Sequence, residues 1–284
     1  MLTKQEIIQL IDKSYQNRIT LIEMLIHSGV GHVGGALSAM DVLTVLYEKT
    51  LRHDPGNPKW QERDIFLLSA GHKAVGLYIV LQAVGYFEKS VLGKHGSLHT
   101  PLPMHPDEKK LPGIEFPTGA LGHGLSVAGG IATAFKMDHS PRRVFVMMGD
   151  GESNEGSVWE AMLSAAKYKL DNLTVIIDAN GLQSEGFTRE IMPVASLEAI
   201  YRDVGWSVRT IDGHDMAQIY AALVDIPFET GKPTCIIANT IKAKGISFAE
   251  NNYHYHHWSP TPEEGAKAIE SLKKCHRREV TKIG

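Results

Sequence analysis

The chain has 284 residues, 43% hydrophobic and 21% charged, with a formal net charge of −3. That is enough chain for one large α/β core. The composition excludes a basic nucleic-acid stripe and an acidic disordered arm, and no apolar run approaches the roughly 20 residues that cross a bilayer.

The N-terminal stretch "MLTKQEIIQLIDKSYQNR" carries charges throughout and lacks a signal-peptide core. Cys235 and Cys275 have no spacing signature and read as free thiols. Both features lead to the expectation of a cytoplasmic protein. Apolar positions at helical spacing (Ile7, Ile8, Ile11, then Ile19, Ile22, Ile26) predict one or two helices over residues 4–28. The stretch "SGVGHVGGALS" predicts a glycine-rich loop, with a helix at about 39–50 after it. A short buried strand is predicted at 65–69, turning through Ala70-Gly71-His72 into a helix that ends near 84. Residues 88–118, rich in Pro, Gly and His, predict a long irregular stretch, and long loops inside a compact domain are usually functional or disordered. "GALGHGLSVAGGIATAFKM" opens a helix with glycine-rich first turns.

From there strands and helices alternate. A strand at 143–148, a helix at about 154–168 and a strand at 173–178 come first. A short helix near 196–202, the strand "WSVRTI", a helix at 215–224 and the strand "TCIIANTI" follow. This order predicts a single α/β domain over 1–284: a doubly wound, mainly parallel sheet with helices on both faces, and an irregular tail from about 250. Ligands of such sheets bind at the carboxyl ends of the strands, where Asp150, Asn180, Asp212 and Lys242 fall.

The stretch "VFVMMGDGESNEG" runs a buried strand straight into Gly-Asp-Gly, and Asn180 follows the next strand. A lone Gly-Asp-Gly is a surface turn. Here one helix and one returning strand separate Asp150 from Asn180, so the right-handed crossover rule brings both to one edge. A carboxylate and an amide oxygen are hard ligands that suit Mg²⁺ or Ca²⁺ together with phosphate oxygens. The glycines around Asp150 leave room for a diphosphate, and the helix that follows offers free N–H groups to an anion.

"GDG…N" in this setting is the signature of thiamine-diphosphate enzymes. The stretch "GDGESNEGSVWEAMLSAAKYKLDNLTVIIDANGLQSEG" resembles transketolase. So do "GVGHVGGALS", "LSAGH", "HPDEKKLPGIEFPTGALGHGLS", "WSVRTIDGHD" and the Lys-x-Lys-Gly…Glu-Asn-Asn…His stretch near 242–256, in the family's order. The resemblance runs from about residue 5 to 260 and covers only the first, diphosphate-binding domain of a full-length transketolase. It is nearest to the N-terminal subunits of split transketolases.

The resemblance implies transfer of a two-carbon ketol unit from a ketose to an aldose, with thiamine diphosphate and Mg²⁺ (or Ca²⁺) as cofactors. It makes Asp150, Asn180 and the carbonyl of Leu182 the metal ligands. Gly151 would approach the diphosphate, Gly119 and Leu121 the cofactor's rings, and Lys244 the diphosphate or substrate. His32, His72, His105 and His256 would line the channel to the reactive carbon, and Glu155 would link paired active sites. A separate C-terminal subunit would supply the pyrimidine-binding domain and the activating glutamate, two of each forming a heterotetramer that acts on a sugar phosphate or other anionic sugar. The alternatives are an enzyme like 1-deoxyxylulose-5-phosphate synthase and a catalytically silent scaffold or regulatory subunit.

Departures from the family pattern fall at Met104, His123 and "YHYHHW", where His254 and His257 compete with His256. The His-rich run could also be a metal site. Loop histidines, a glutamate at a helix start and surface lysines have plain solvated readings as well.

Overall fold

A computed structural model describes residues 1–29, 31–194 and 196–284. Helix α1 (Lys4–Ser28) is one continuous element, started by a capping box between Thr3 and Glu6. Helix α2 (Val33–Val45) begins within the stretch expected to be a loop and continues into a π-helical turn over Leu46–Thr50. Val30, in the same motif, lies outside the described residues.

Strand β1 (Ile65–Leu68) and α3 (Ala74–Ala83) come next, then the irregular stretch up to α4 (His123–Met137). The alternation that follows is β2 (Val144–Gly149), α5 (Gly156–Lys167), β3 (Leu173–Ala179), the short α6 (Thr188–Ile191), α7 (Leu197–Asp203), β4 (Ser207–Asp212), α8 (Met216–Val224) and β5 (Thr234–Asn239). The tail from about 250 is irregular only to Thr261. It then forms α9 (Pro262–Ile283), which starts with Pro262 and a capping box between Thr261 and Glu264 and packs along α1.

All five strands are parallel, in the order β1-β2-β3-β5-β4. Nearly every residue of β1, β2, β3 and β5 is buried, as a sheet covered on both faces requires, and the edge strand β4 is buried only in part. Alternate residues face opposite layers. Phe145, Met147, Ile176 and Ile236 join the core under α1, α2, α3 and α8, while Val144, Val146, Val175 and Ile237 join the core under α4, α5 and α7.

Handedness explains which helix goes where. The chain steps one way across the sheet from β1 to β4, so right-handed crossovers put α4, α5 and α7 on one face. It steps back from β4 to β5, and the same rule puts α8 on the other face. The carboxyl ends of β2, β3 and β5 are thereby adjacent. Among the described residues no helix is long and apolar enough to cross a membrane.

Leu272 of α9 is fully buried against α1. Leu272→Ala should cost about 2–5 kcal/mol in urea unfolding, as truncation in a packed core does. A cost near zero would mean that α9 is not part of the fold.

Candidate functional site

A cavity of about 330 Å³ opens at the carboxyl ends of β2, β3 and β5. Its wall holds Asp150, Gly151, Asn180, Leu182, Gly119, Leu121, His72, His105, His256 and Glu155, so ten of the residues expected from the sequence meet in one place. His32 stands beside it, its ring centroid 5.6 Å from His72, 6.4 Å from His105 and 5.4 Å from His256.

Two expectations change. Lys244 does not line the cavity: its ammonium points to α9 and pairs with Glu279 at 3.1 Å, because Lys242 takes the inward direction. The three tail histidines point in different directions. His256 faces inward with Nδ1 2.9 Å from Lys242 Nζ, His257 flanks His32 edge-on at 5.0 Å, and His254 lies over Tyr253. Among the described residues no three His, Cys, Asp or Glu side chains converge to hold a metal, so the His-rich run forms no such centre. Asp212 stays outside the cavity and receives the backbone N–H of His214 instead.

The floor is a buried ion pair that motif reading passed over. Lys73 Nζ donates to Asp178 Oδ2 at 2.5 Å, with both side chains almost fully buried. Asp178 also accepts from Ser38 Oγ at 2.6 Å, from Thr240 Oγ1 and from Asn180 Nδ2 at 3.2 Å. Burial alone would push the Asp178 carboxyl up, but the Lys73 charge and these hydrogen bonds outweigh it and hold the group below the usual carboxylate range. The signal was present in the sequence: an acid inside the apolar run "LTVIIDA" has to be paired. Glu152 is a second missed residue. Its buried carboxylate accepts from Ser69 Oγ, from Gly122 N at 2.9 Å and from Gly149 N at 3.1 Å, tying three cavity-forming turns together.

The two lysines reach the cavity because α2 starts with glycines. A Cβ on Gly35 would lie 3.0 Å from Lys73 Cε, and one on Gly34 would lie 3.0 Å from Lys242 Cε and 2.8 Å from the carbonyl of Tyr255. Bare backbone there is space for two lysine stems.

Asp150 has the opposite electrostatics from Asp178. Its oxygens accept from Gly151 N at 2.9 Å, Gly181 N at 2.8 Å and Thr188 Oγ1 at 3.2 Å, with no cation in contact among the described residues. Burial and the nearby Asp178 charge push its carboxyl up. A cation held there would relieve both effects. Asn180 keeps its amide nitrogen on Asp178, and its oxygen accepts from Leu182 N at 3.1 Å with a lone pair to spare. The Leu182 carbonyl receives Lys242 Nζ at 3.1 Å, so a metal using that oxygen would share it with this ammonium or displace it. One carboxylate, one amide oxygen and one carbonyl form an oxygen set that suits Mg²⁺ or Ca²⁺. Gln183 Nε2, also on the wall, is buried without a partner among the described residues.

Three of these histidines, His32, His72 and His256, are held neutral. Burial, followed by the positive charges around them, lowers His72 to about 2, His256 to about 3 and His32 to about 4. Burial and the Lys73 charge bring Lys242 down to about 8. The site can therefore hold an anion near the Lys242 ammonium, a divalent cation on oxygens, and imidazoles at the mouth.

The family model described as "Transketolase, thiamine diphosphate binding domain" matches residues 11–277. A 6-deoxy-6-sulfo-D-fructose transketolase subunit from a Clostridium species is 43% identical over 246 residues, 87% of this chain and 90% of that relative. An apulose-4-phosphate transketolase subunit from Phocaeicola vulgatus is 41% identical, with 92% of each chain covered. The solved transketolase of Campylobacter jejuni superposes with a TM-score of 0.82 at 29% identity over 97% of this chain. That match spans only 48% of the longer protein.

Two outcomes follow from the electrostatics. Lys73→Met leaves Asp178 charged and buried without its partner, and should destabilise the chain by about 3–5 kcal/mol, most of it recovered when Asp178→Asn is added. Recovery absent from the double variant in urea unfolding would contradict the pairing. The second outcome concerns pH. His32, His72 and His256 stay neutral in the fold below their ordinary value near 6.5, whereas the unfolded chain takes up protons there. Stability should be complete above pH 6.5 and fall as pH drops toward 4. His72→Gln should make that fall shallower, and an unchanged slope would count against its burial.

Proposed function

This chain belongs to the transketolase family, and from that premise we propose that it is the N-terminal, diphosphate-binding subunit of a two-subunit transketolase. Its reaction is transfer of a two-carbon ketol unit from a ketose donor to an aldose acceptor. The observation that carries the reading is that one cavity brings together the oxygen set of Asp150, Asn180 and Leu182 with His72, His105 and His256, and that His32 stands beside them. The two relatives named as transketolase subunits match 87% and 92% of this chain, and 90% and 92% of their own length. That correspondence supports a separate partner here as well.

In this reading Asp150, Asn180 and the Leu182 carbonyl hold Mg²⁺, or Ca²⁺ in its place. Gly151 lets its backbone approach the diphosphate of thiamine diphosphate, and Gly119 and Leu121 border the rings. A Cβ at Gly151 would stand 2.8 Å from the Gln183 side chain, so the bare backbone keeps that approach open. When bound, thiamine diphosphate supplies the electron sink for breaking the bond next to the sugar carbonyl. The chain's own part is placement and proton handling. Lys242 offsets the charge of a bound anion, while Lys73 stays on Asp178. The imidazoles of His32, His72 and His256 are weak bases in the free chain, and the charge of a bound anion would raise their basicity so that they accept a proton from a sugar hydroxyl and return it.

The C-terminal subunit completes the site with its pyrimidine-binding domain and activating glutamate, and we assign the complex as a heterotetramer with two of each. The exposed Trp159 and Leu163 of α5, beside Gly129 and Gly130 of α4 with open space above them, support a surface made for that partner. Glu155, exposed at the cavity's edge, is the residue we assign to the link between paired sites. The substrate is an anionic sugar: the two similar subunits are named for a sulfonated and a phosphorylated ketose. The two free cysteines, one buried and one half-buried, fit a cytoplasmic setting.

Alone, the chain should transfer no ketol unit. Mixed with its partner, thiamine diphosphate and Mg²⁺, it should do so, and Asp150→Ala should abolish Mg²⁺-dependent cofactor binding by calorimetry. No cofactor binding by the wild-type mixture would refute the reading.

A further inference from the structure

The motif "WSVRTIDGHD" contains His214, which no part of the proposed chemistry uses, yet its ring is nine-tenths buried and fully engaged. Nδ1 lies 2.7 Å from Asp41 Oδ2, and Nε2 accepts the backbone N–H of Ile241 at 2.8 Å. Because Nε2 is an acceptor, the ring's one proton sits on Nδ1 and is donated to Asp41. Asp41 is itself immobilised. Arg18, fully buried, grips it through NH1 at 2.8 Å and NH2 at 2.7 Å, and a further NH2 bond runs to the Leu37 carbonyl at 3.1 Å. The chain Arg18–Asp41–His214–Ile241 therefore runs from α1 through α2 and the turn after β4 to the segment that follows β5.

Ile241 immediately precedes Lys242, whose Nζ reaches the Leu182 carbonyl at 3.1 Å, the Gln183 carbonyl at 2.8 Å and His256 Nδ1 at 2.9 Å. The same segment holds Ala243 at φ +58, a left-handed conformation that a side chain disfavours by about 1 kcal/mol or more. Such a backbone persists only where neighbours fix it. Thr240 is fixed by Asp178, Ala243 N by the Gly34 carbonyl at 3.0 Å, and Ile241 by His214.

We propose that His214 is a positioning residue: by accepting the Ile241 N–H it sets the backbone that aims Lys242 into the cavity. The consequence for ligand binding rests on the reading of the cavity as a thiamine-diphosphate site. The positioning itself does not.

Asparagine and glutamine separate the two ring contacts, because an Asn amide reaches where Nδ1 stands and a Gln amide where Nε2 stands. His214→Asn keeps a group for Asp41 and loses the acceptor for Ile241. His214→Gln keeps that acceptor and loses the Asp41 contact. In the full chain without cofactor, amide hydrogen exchange across 240–244 should speed up about tenfold in His214→Asn, as expected for one lost hydrogen bond, and stay near wild type in His214→Gln. With Mg²⁺ and the partner subunit present, the Kd for thiamine diphosphate should rise about tenfold in His214→Asn only. In a Lys242→Ala background, His214→Asn should add nothing to the Kd. Equal exchange in the two variants, or additive effects with Lys242→Ala, would overturn the proposal. If wild type binds no thiamine diphosphate, the functional reading fails, while the exchange comparison still decides the role of His214.

Discussion

The buried pair of Lys73 and Asp178 is the contact on which the rest of the site depends. It lies where β3 ends, under the cavity, and it ties four segments to one carboxylate: Lys73 from the turn before α3, Ser38 from α2, Asn180 from the end of β3 and Thr240 from the end of β5. A buried charge is tolerated only when it is paired and hydrogen-bonded, and these contacts engage both oxygens of Asp178, three on Oδ2 and one on Oδ1. With Lys73 held on Asp178, Asp150, at the end of the neighbouring strand β2, is the acid with no cation in contact among the described residues. One acid is closed and the other open, and that difference makes one structural and the other available to a cation.

The cavity is also one-sided. Its inner wall is dense with fixed polar groups, while Leu121 on its wall and Trp159 and Leu163 outside it stand exposed. In the proposed enzyme the partner subunit would cover that side, excluding water from the histidines and supplying the acid that this chain lacks. A subunit built this way can organise one end of a cofactor without being able to use it.

Much of the fold was legible. The strands announce themselves as short apolar runs because a parallel sheet buries both faces, and the crossover rule then fixes where Asp150 and Asn180 must meet. The meeting of Asp150 and Asn180 at one edge of the sheet was legible through their spacing. Besides the Lys73–Asp178 pair and Glu152, three features were not read. The start of α2 looks like a loop because Gly34 and Gly35 disfavour a helix locally; only the packing of Lys73 and Lys242 against them explains why they belong in one. Helix α9 has a readable signal in Thr261-Pro262-Glu263-Glu264, which marks a capped start. The choice of Lys242 over Lys244 is set by long-range contacts, His214 to Ile241 on one side and Glu279 on the other, which local sequence does not encode.

The most direct measurement is an experimental structure of the chain assembled with its partner, thiamine diphosphate and Mg²⁺. We predict the cation about 2.0–2.1 Å from an Asp150 carboxylate oxygen and the Asn180 amide oxygen, with Lys73 still on Asp178. A cation held elsewhere, or Lys73 released from Asp178 to meet the ligand, would contradict the division between a closed floor and an open clamp.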